Sequence, residues 1–349
     1  MIEVKEIRLT EFSHGSGCGC KIAPSVLEQI LSKSEKKKFS KLLIGNESRD
    51  DAAVYDLGNG NALISTVDFF TPVVDDAFDF GRIASANALS DVYAMGGAPI
   101  LATAILGWPV EKLPAELASE VMKGAEYICA KANIPLAGGH SIDSVEPFFG
   151  LSVNGLVKKE NLKANNSARE GDLLFLTKPL GSGILSTAIK RKIISEDDYN
   201  AAIKMMISLN DIGEKFGELK SVSALTDVTG FGLLGHLIEM ADGSNLSAII
   251  NYPDVPIAEA AKKYITQMSF PDNLFRNWNA YEKKVEAEEG SWFIPLCDPQ
   301  TNGGLLAAVA PDGVDDFLKT LKQNGIDSVT KPIGRLTGKE NYSAKIIFS

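Results

Sequence analysis

Two thiols, an imidazole and an ammonium are separated only by glycine and serine in Ser13-His14-Gly15-Ser16-Gly17-Cys18-Gly19-Cys20-Lys21-Ile22. A cysteine beside a lysine and near a histidine, on an exposed and pliable segment, has its thiol pKa lowered, and the thiolate is the form that attacks or carries soft atoms. Cys18 and Cys20 are therefore candidate reactive groups. Glycine at 15, 17 and 19 costs chain entropy on ordering, so residues 13–22 read as a mobile loop that closes when something binds. The loop is not a Walker P-loop, because Cys20 separates Gly19 from Lys21 and Ile22 stands where Ser or Thr is required. Half of a zinc site and a redox disulfide pair stay open as other uses of the two thiols. Against them, Cys129 and Cys297 stand alone, and no thioredoxin-like context surrounds the pair.

The second set of groups is acidic. Asp50 and Asp51 stand just before a β-rich run, Asp68 just after the next, and Asp227 at the end of a later one. Carboxylates gathered at strand ends repel unless a cation lies between them, and oxygen ligands favour Mg²⁺ where phosphates share the site. Ordinary turn and cap duty is the alternative for any one of them. Asp91 falls in the last turn of a helix, where the macrodipole disfavours negative charge; a metal, Arg82 or another basic side chain would compensate. Gly138-Gly139-His140-Ser141 offers backbone N–H groups and a hydroxyl suited to phosphate or ribose oxygens, although a tight structural turn explains the glycines equally well.

The elements that must position these groups follow from periodicity. Pro24 opens a helical pattern through Val26, Leu27, Ile30 and Leu31. Short β-rich runs follow at Leu42–Ile44, Ala52–Leu57 and Ala62–Val67, the last two joined by the hairpin signal Gly58-Asn59-Gly60-Asn61. Helices are predicted over Phe78–Met95 and Pro114–Ala132, and strands over Ile100–Leu106, Ile134–Leu136 and Phe148–Val157. The polar stretch Lys158–Glu170 has no apolar period and is the linker candidate. A second cycle comprises strand Asp172–Thr177, helices over Ile184–Arg191 and Glu196–Phe216, strand Val222–Leu225, strand Ser247–Tyr252, helix Ala258–Thr266 and the turn-to-strand segment Cys297–Leu306. The result is two αβ halves of similar size.

Composition narrows the class. At 349 residues the chain exceeds one compact core, and 45% hydrophobic with 23% charged residues is ordinary for a globular protein. A net charge of −10 argues against nucleic-acid or anionic-membrane partners and requires a metal to mediate any anionic substrate. Four cysteines, two of them isolated, make no secreted disulfide framework. Met1 to Arg8 has no apolar core of signal-peptide length, and no stretch reaches eighteen apolar residues, so a cytoplasmic enzyme or binding protein is expected.

Five motifs in this order carry a family resemblance: residues 13–21, Asn46-Glu-Ser-Arg-Asp-Asp-Ala-Ala-Val54, Ala137-Gly-Gly-His-Ser-Ile-Asp143, Thr226-Asp-Val-Thr-Gly-Phe-Gly-Leu-Leu-Gly-His236 and Asp298-Pro-Gln-Thr-Asn-Gly-Gly304. Together they resemble the selenophosphate synthetases (selenide, water dikinases), of the aminoimidazole ribonucleotide synthetase-like ATP-binding superfamily. The resemblance implies an α/β (α+β) fold of two αβ domains, with mixed sheets flanked by helices and a flexible glycine-rich N-terminal loop. It implies an ATP/Mg-binding and dimerisation domain over 1–158, a linker over 159–170, a C-terminal α/β domain over 171–349 and a homodimer. The implied reaction converts ATP, hydrogen selenide and water to selenophosphate, orthophosphate and AMP, the product serving as selenium donor for selenocysteine and selenouridine synthesis.

On this resemblance Cys18 matches the catalytic Cys or selenocysteine and Lys21 the essential lysine. Asp51, Asp91 and Asp227 match Mg²⁺ ligands. Lys21, Ser48, Arg49, Asp50, Asp68, Asp91, Gly139, His140 and Ser141 match nucleotide-contacting positions. Asn302 departs from the family pattern, which has Ser there. The chemistry is coherent with the residues: phosphoryl transfer rests on positioning and charge neutralisation, which Mg²⁺ and a loop-borne Lys21 would provide. Two rivals remain, a related kinase acting on another acceptor and a non-catalytic nucleotide-binding or redox module; the cysteine loop argues against the first, and Lys21 with the full aspartate set against the second.

Overall fold

The computed structural model describes residues 7–13, 17, 30, 38–45 and 50–348. Cys18, Cys20, Lys21, Ser48 and Arg49 lie outside the described residues, as does the helix expected after Pro24 except for Ile30.

The first half of the chain builds a six-stranded sheet from β1 (Leu42–Ile44), β2 (Ala53–Asp56), β3 (Asn61–Phe70), β4 (Ala98–Trp108), β5 (Leu136–Asp143) and β6 (Phe148–Lys158), in the order β1-β2-β3-β6-β4-β5. The β2–β3 hairpin forms where the glycines predict it. Gly58 and Gly60 take left-handed φ, while the side chains of Asp56 and Asn59 accept backbone N–H bonds two residues on. Strand β3 is longer than its apolar run, so Asp68 lies within it rather than after it. Because successive side chains alternate, Ala62, Ile64, Asp68 and Phe70 are buried on one face, and Thr66 shares it.

That face is covered by α1 (Ala77–Ala94) and α2 (Ala115–Lys131). Asp76 caps α1 by accepting the N–H of Asp79. The apolar stripe of α1 predicts a helix with one buried face, yet every residue from Ile83 to Ala94 is buried. The reason is topological: α1 packs on its own sheet and also against the second half of the chain, including β8 (Val222–Asp227).

The second half forms a seven-stranded sheet of order β10-β13-β9-β12-β7-β11-β8. Its strands are β7 (Leu173–Leu176), β8, β9 (Leu246–Asn251), β10 (Val285–Glu286), β11 (Leu305–Val309), β12 (Gly334–Gly338) and β13 (Ala344–Ile347). The single helical span expected over 196–216 is two helices, α4 (Glu196–Met206) and α5 (Ile212–Glu218), following α3 (Ser182–Lys190). The break between them carries buried Asn210, which is recruited to the site described below. The connecting stretch 159–170 is exposed at both ends and at 166–167, and two of its residues are buried, Lys163 and Asn165. Lys163 is buried and donates to the carbonyls of Leu219 and Val222, while Asn165 N–H bonds Asp50. One continuous hydrophobic core runs through both halves.

Candidate active site

Strand period and helix period meet at one place. Thr66 and Asp68, two apart on β3, face α1, where Asn87, Ser90 and Asp91 share one side at spacings of three and four. Thr66 Oγ1 donates to Asp91 Oδ2, and Asn87 Nδ2 donates to Asp68 Oδ2 at 2.8 Å. The second half contributes the end of β8. Ser90 Oγ donates to Asp227 Oδ2 at 2.5 Å, and Thr226 Oγ1 donates to Asp51 Oδ1 at 3.0 Å. Asp51, Asp68, Asp91 and Asp227, far apart in sequence, are thus held around the junction of the two sheets.

The electrostatics of this cluster are unfavourable as it stands. Burial, reinforced by the Asp227 and Asp91 carboxylates and more weakly by Asp50, raises the Asp51 carboxyl well above the ordinary range, with the Thr226 hydroxyl only partly opposing it. Asp51 Oδ2 is shielded from solvent and has no hydrogen-bond partner. Asp91 closes the C-terminal turn of α1, where the helix dipole adds to the repulsion. Arg82, one of its proposed compensators, pairs with Asp79 and lies over the rings of Phe78 and Tyr127. Lys178 is the buried cation on the other side. Its Nζ donates to the carbonyls of Ser208 and Asn302, and burial pushes its pKa down to about 7, with Asp227 and Asp211 opposing that fall.

The Asp298–Gly304 turn closes the site from below. Asn302 takes left-handed φ of 49°, which Asn tolerates better than most residues, and its Nδ2 donates to the carbonyls of Met206 and Ser208. Its backbone N–H bonds Asn87 Oδ1 at 2.7 Å, so the departure from Ser at this position sits one hydrogen bond from the Asn87–Asp68 pair. Where the turn after β8 passes into the next helix (Gly232–Gly243), Gly232 has φ of 71°, and a Cβ there would lie 2.7 Å from the Leu296 carbonyl.

Not every expected residue reaches the cluster. Asp50 bonds the Asn165 N–H and adds charge near Asp51. Gly139, His140 and Ser141 are not a turn or nest but part of β5, exposed at the sheet edge. A built Cβ on Gly139 would meet the Ala104 carbonyl at 2.2 Å, so the glycines permit the irregular β4–β5 pairing. Asp68, Leu151, Ala104 and Gly139 lie in one row across four strands, which puts Gly139 about 14 Å from Asp68 within one chain.

Thr66, Asn87, Ser90 and Asn210 escape a motif-based reading of the sequence. Their signal was present for the helix residues: Asn87, Ser90 and Asp91 are polar at helical spacing inside an otherwise apolar segment, which a buried helix tolerates only with partners. As for a metal, no three acidic, histidine or cysteine side chains among the described residues form a ready-made binding group. The donor set is nonetheless all hard oxygen, and the Asp51 carboxylate, repelled by its neighbours and with Oδ2 unpartnered, fits a hard divalent cation.

Comparison with known proteins defines the class first. The model for the N-terminal domain of AIR synthase related proteins matches residues 49–157, and that for their C-terminal domain residues 169–347. Solved structures with the same fold include thiamine monophosphate kinase from Aquifex aeolicus (17% identity, TM-score 0.67, 92% of this chain and 96% of that one). Another is hydrogenase maturation protein HypE in complex with ATP (17%, TM-score 0.63, 95% and 89%). The particular family follows from closer relatives. Selenide, water dikinase of Pseudomonas putida is 51% identical over 98% of this chain and 99% of its own length, and that of Sulfurovum sp. 49% identical over 99% and 100%. The chain belongs to the selenide, water dikinase family.

Proposed function

We propose that this enzyme makes selenophosphate from ATP, hydrogen selenide and water, releasing AMP and orthophosphate. The observation that carries the reading is near-full-length identity of 51% to named selenide, water dikinases, together with the Gly-Cys-Gly-Cys-Lys loop. In this reading the γ-phosphoryl group passes to selenium and the β-phosphate leaves by hydrolysis, so one molecule of ATP gives one each of selenophosphate, orthophosphate and AMP.

Asp51, Asp91 and Asp227 would hold Mg²⁺, and Asp68, bonded to Asn87 beside them, is assigned to the nucleotide on the family resemblance. The lack of a ready-made cage suits this ion, which keeps several waters and takes further oxygens from phosphate. The chemistry such an ion would supply there is neutralisation of charge on the phosphoryl oxygens. The chain's own residues set the stage: Thr66, Ser90 and Thr226 donate to Asp91, Asp227 and Asp51 and so fix which carboxylate oxygens remain for binding. Ser48, Arg49 and Asp50 precede β2 and are assigned to the nucleotide. Lys21 is assigned to the transferring phosphoryl group and Cys18 to selenide handling, both on the family resemblance.

The chain is read as an N-terminal ATP/Mg-binding domain (1–158), a linker (159–170) and a C-terminal domain (171–349), active as a homodimer. Support for the dimer is the outer face of the first sheet, where Val67 and Phe69 of β3, Ile100 of β4 and Ile142 of β5 are exposed, together with the open edge of β5. Association through this face would also bring Gly139, His140 and Ser141 into a shared site. No helix among the described residues is long and apolar enough to cross a membrane. The cysteine content and charge favour the cytoplasm. The test is direct: under anaerobic conditions, adding selenide to enzyme and Mg-ATP should yield AMP and orthophosphate in equal amounts, whereas ADP as the end product would point to a kinase acting on another acceptor.

A further inference from the structure

Asn210 stands outside every recognisable motif, yet it is 1% exposed and sits at the break between α4 and α5. Its Nδ2 makes two bonds at 2.8 Å, one to Ser90 Oγ and one to the Gly303 carbonyl. A serine hydroxyl has a single proton. With Asn210 occupying a lone pair of Ser90, that proton is directed to Asp227 Oδ2, the contact seen at 2.5 Å. Asn210 therefore holds the Ser90 hydroxyl in the position from which it donates to the carboxylate, and its second N–H ties the same point to the Asp298–Gly304 turn.

We propose that Asn210 is a positioning residue for phosphoryl transfer, acting through Ser90 to orient Asp227 for its cation and locking the α4–α5 break and the 303 turn against α1. The proposal rests on Asp227 being a Mg²⁺ ligand. Partners one bond removed from a metal ligand typically change metal affinity by 10–100-fold when lost, so Asn210→Ala should raise the Mg²⁺ concentration for half-saturation by about ten-fold or more. The effect belongs to metal binding, and kcat at saturating Mg²⁺ should fall less than this.

The test measures binding of a non-hydrolysable ATP analogue by calorimetry across a Mg²⁺ series, with no turnover involved. Asn210→Ala, Ser90→Ala and the double variant form a cycle. The proposal expects each single variant to shift the Mg²⁺ dependence and the double to shift it no further than Ser90→Ala alone. Additive shifts, or a shift under two-fold in folded Asn210→Ala, would overturn it. Should Asn210→Ala fail to fold, the isosteric Asn210→Asp serves: its carboxylate draws the Ser90 proton away from Asp227, so it too must weaken Mg²⁺ dependence, and an unchanged dependence refutes the role. Asp227→Asn is the control. If that variant leaves the Mg²⁺ dependence unchanged, the metal assignment itself has failed; if it shifts while Asn210 variants do not, the positioning role alone has failed.

Discussion

Replacing Thr66 by Val isolates one contact at the aspartate cluster. Valine keeps the shape and the β-branching that suit β3, but it removes the hydroxyl that donates to Asp91 Oδ2 and lies 3.5 Å from the Asp51 carbonyl. A hydrogen bond to a charged group contributes about 1.5–3 kcal/mol. If that contribution is spent on holding Asp91 ready for its cation, its loss converts to a fall of roughly ten- to a hundred-fold in Mg²⁺ affinity, at about 1.4 kcal/mol per factor of ten. Thr66→Ser, which restores the donor, should recover most of the loss. The assay is Mg²⁺ titration of AMP formation at fixed ATP and selenide, paired with urea unfolding to confirm that Thr66→Val remains folded. A Mg²⁺ half-saturation within two-fold of wild type in a folded Thr66→Val enzyme would refute the claim that this hydroxyl prepares Asp91.

Other outcomes follow from the same charges. Asp51 carries a folded-state pKa raised by burial and by Asp227 and Asp91, so its ionised form destabilises the metal-free fold above that pKa, and the cost disappears as pH falls through it. Asp51→Asn should therefore be more stable than wild type to urea at mildly alkaline pH, with the gap narrowing in acid, while losing Mg²⁺-dependent ATP use; a variant less stable at alkaline pH contradicts the repulsion. Burial raises Asp298 to about 7, so the proton it holds stabilises the fold at low pH and that stability is lost as pH rises through about 7. Asparagine can still accept from Gly183, Ile184 and Gln300, so Asp298→Asn should flatten this loss, and parallel pH–stability curves for the two proteins would exclude it. Cys18→Ser should abolish selenophosphate formation and spare Mg-ATP binding, whereas Cys20→Ser retains most activity; equal loss in both points to the two thiols acting together.

Much of this architecture was legible because apolar periodicity is local. The Gly58–Asn61 hairpin, the helix ending near Met95 and the placement of Asp227 at a strand terminus all follow from patterns within a few residues of each other. What escaped was set by tertiary packing. The complete burial of α1 arises from the second half of the chain, which no window over residues 77–94 contains. The apolar run ends at Val67 and so puts Asp68 after its strand, whereas pairing with β6 carries β3 on to Phe70. The Gly138-Gly139 segment resembled an anion-binding turn, since glycines that accommodate a bulged strand pairing look the same in sequence as glycines that cradle a phosphate. Within the linker candidate, the burial of Lys163 and Asn165 leaves no trace in the sequence, because the carbonyls and carboxylate that receive them are remote in the chain. Asn210 was invisible for a like reason: its partners, Ser90 and Gly303, are distant in the chain and meet only across the joined halves.

Phosphorus NMR of the product tests the central claim most directly. Enzyme, Mg-ATP and selenide, incubated anaerobically, should give a selenophosphate resonance together with those of AMP and orthophosphate, and the selenophosphate signal should vanish with Cys18→Ser. AMP and orthophosphate without a phosphorus–selenium species, or an undiminished selenophosphate signal from Cys18→Ser, would contradict the account.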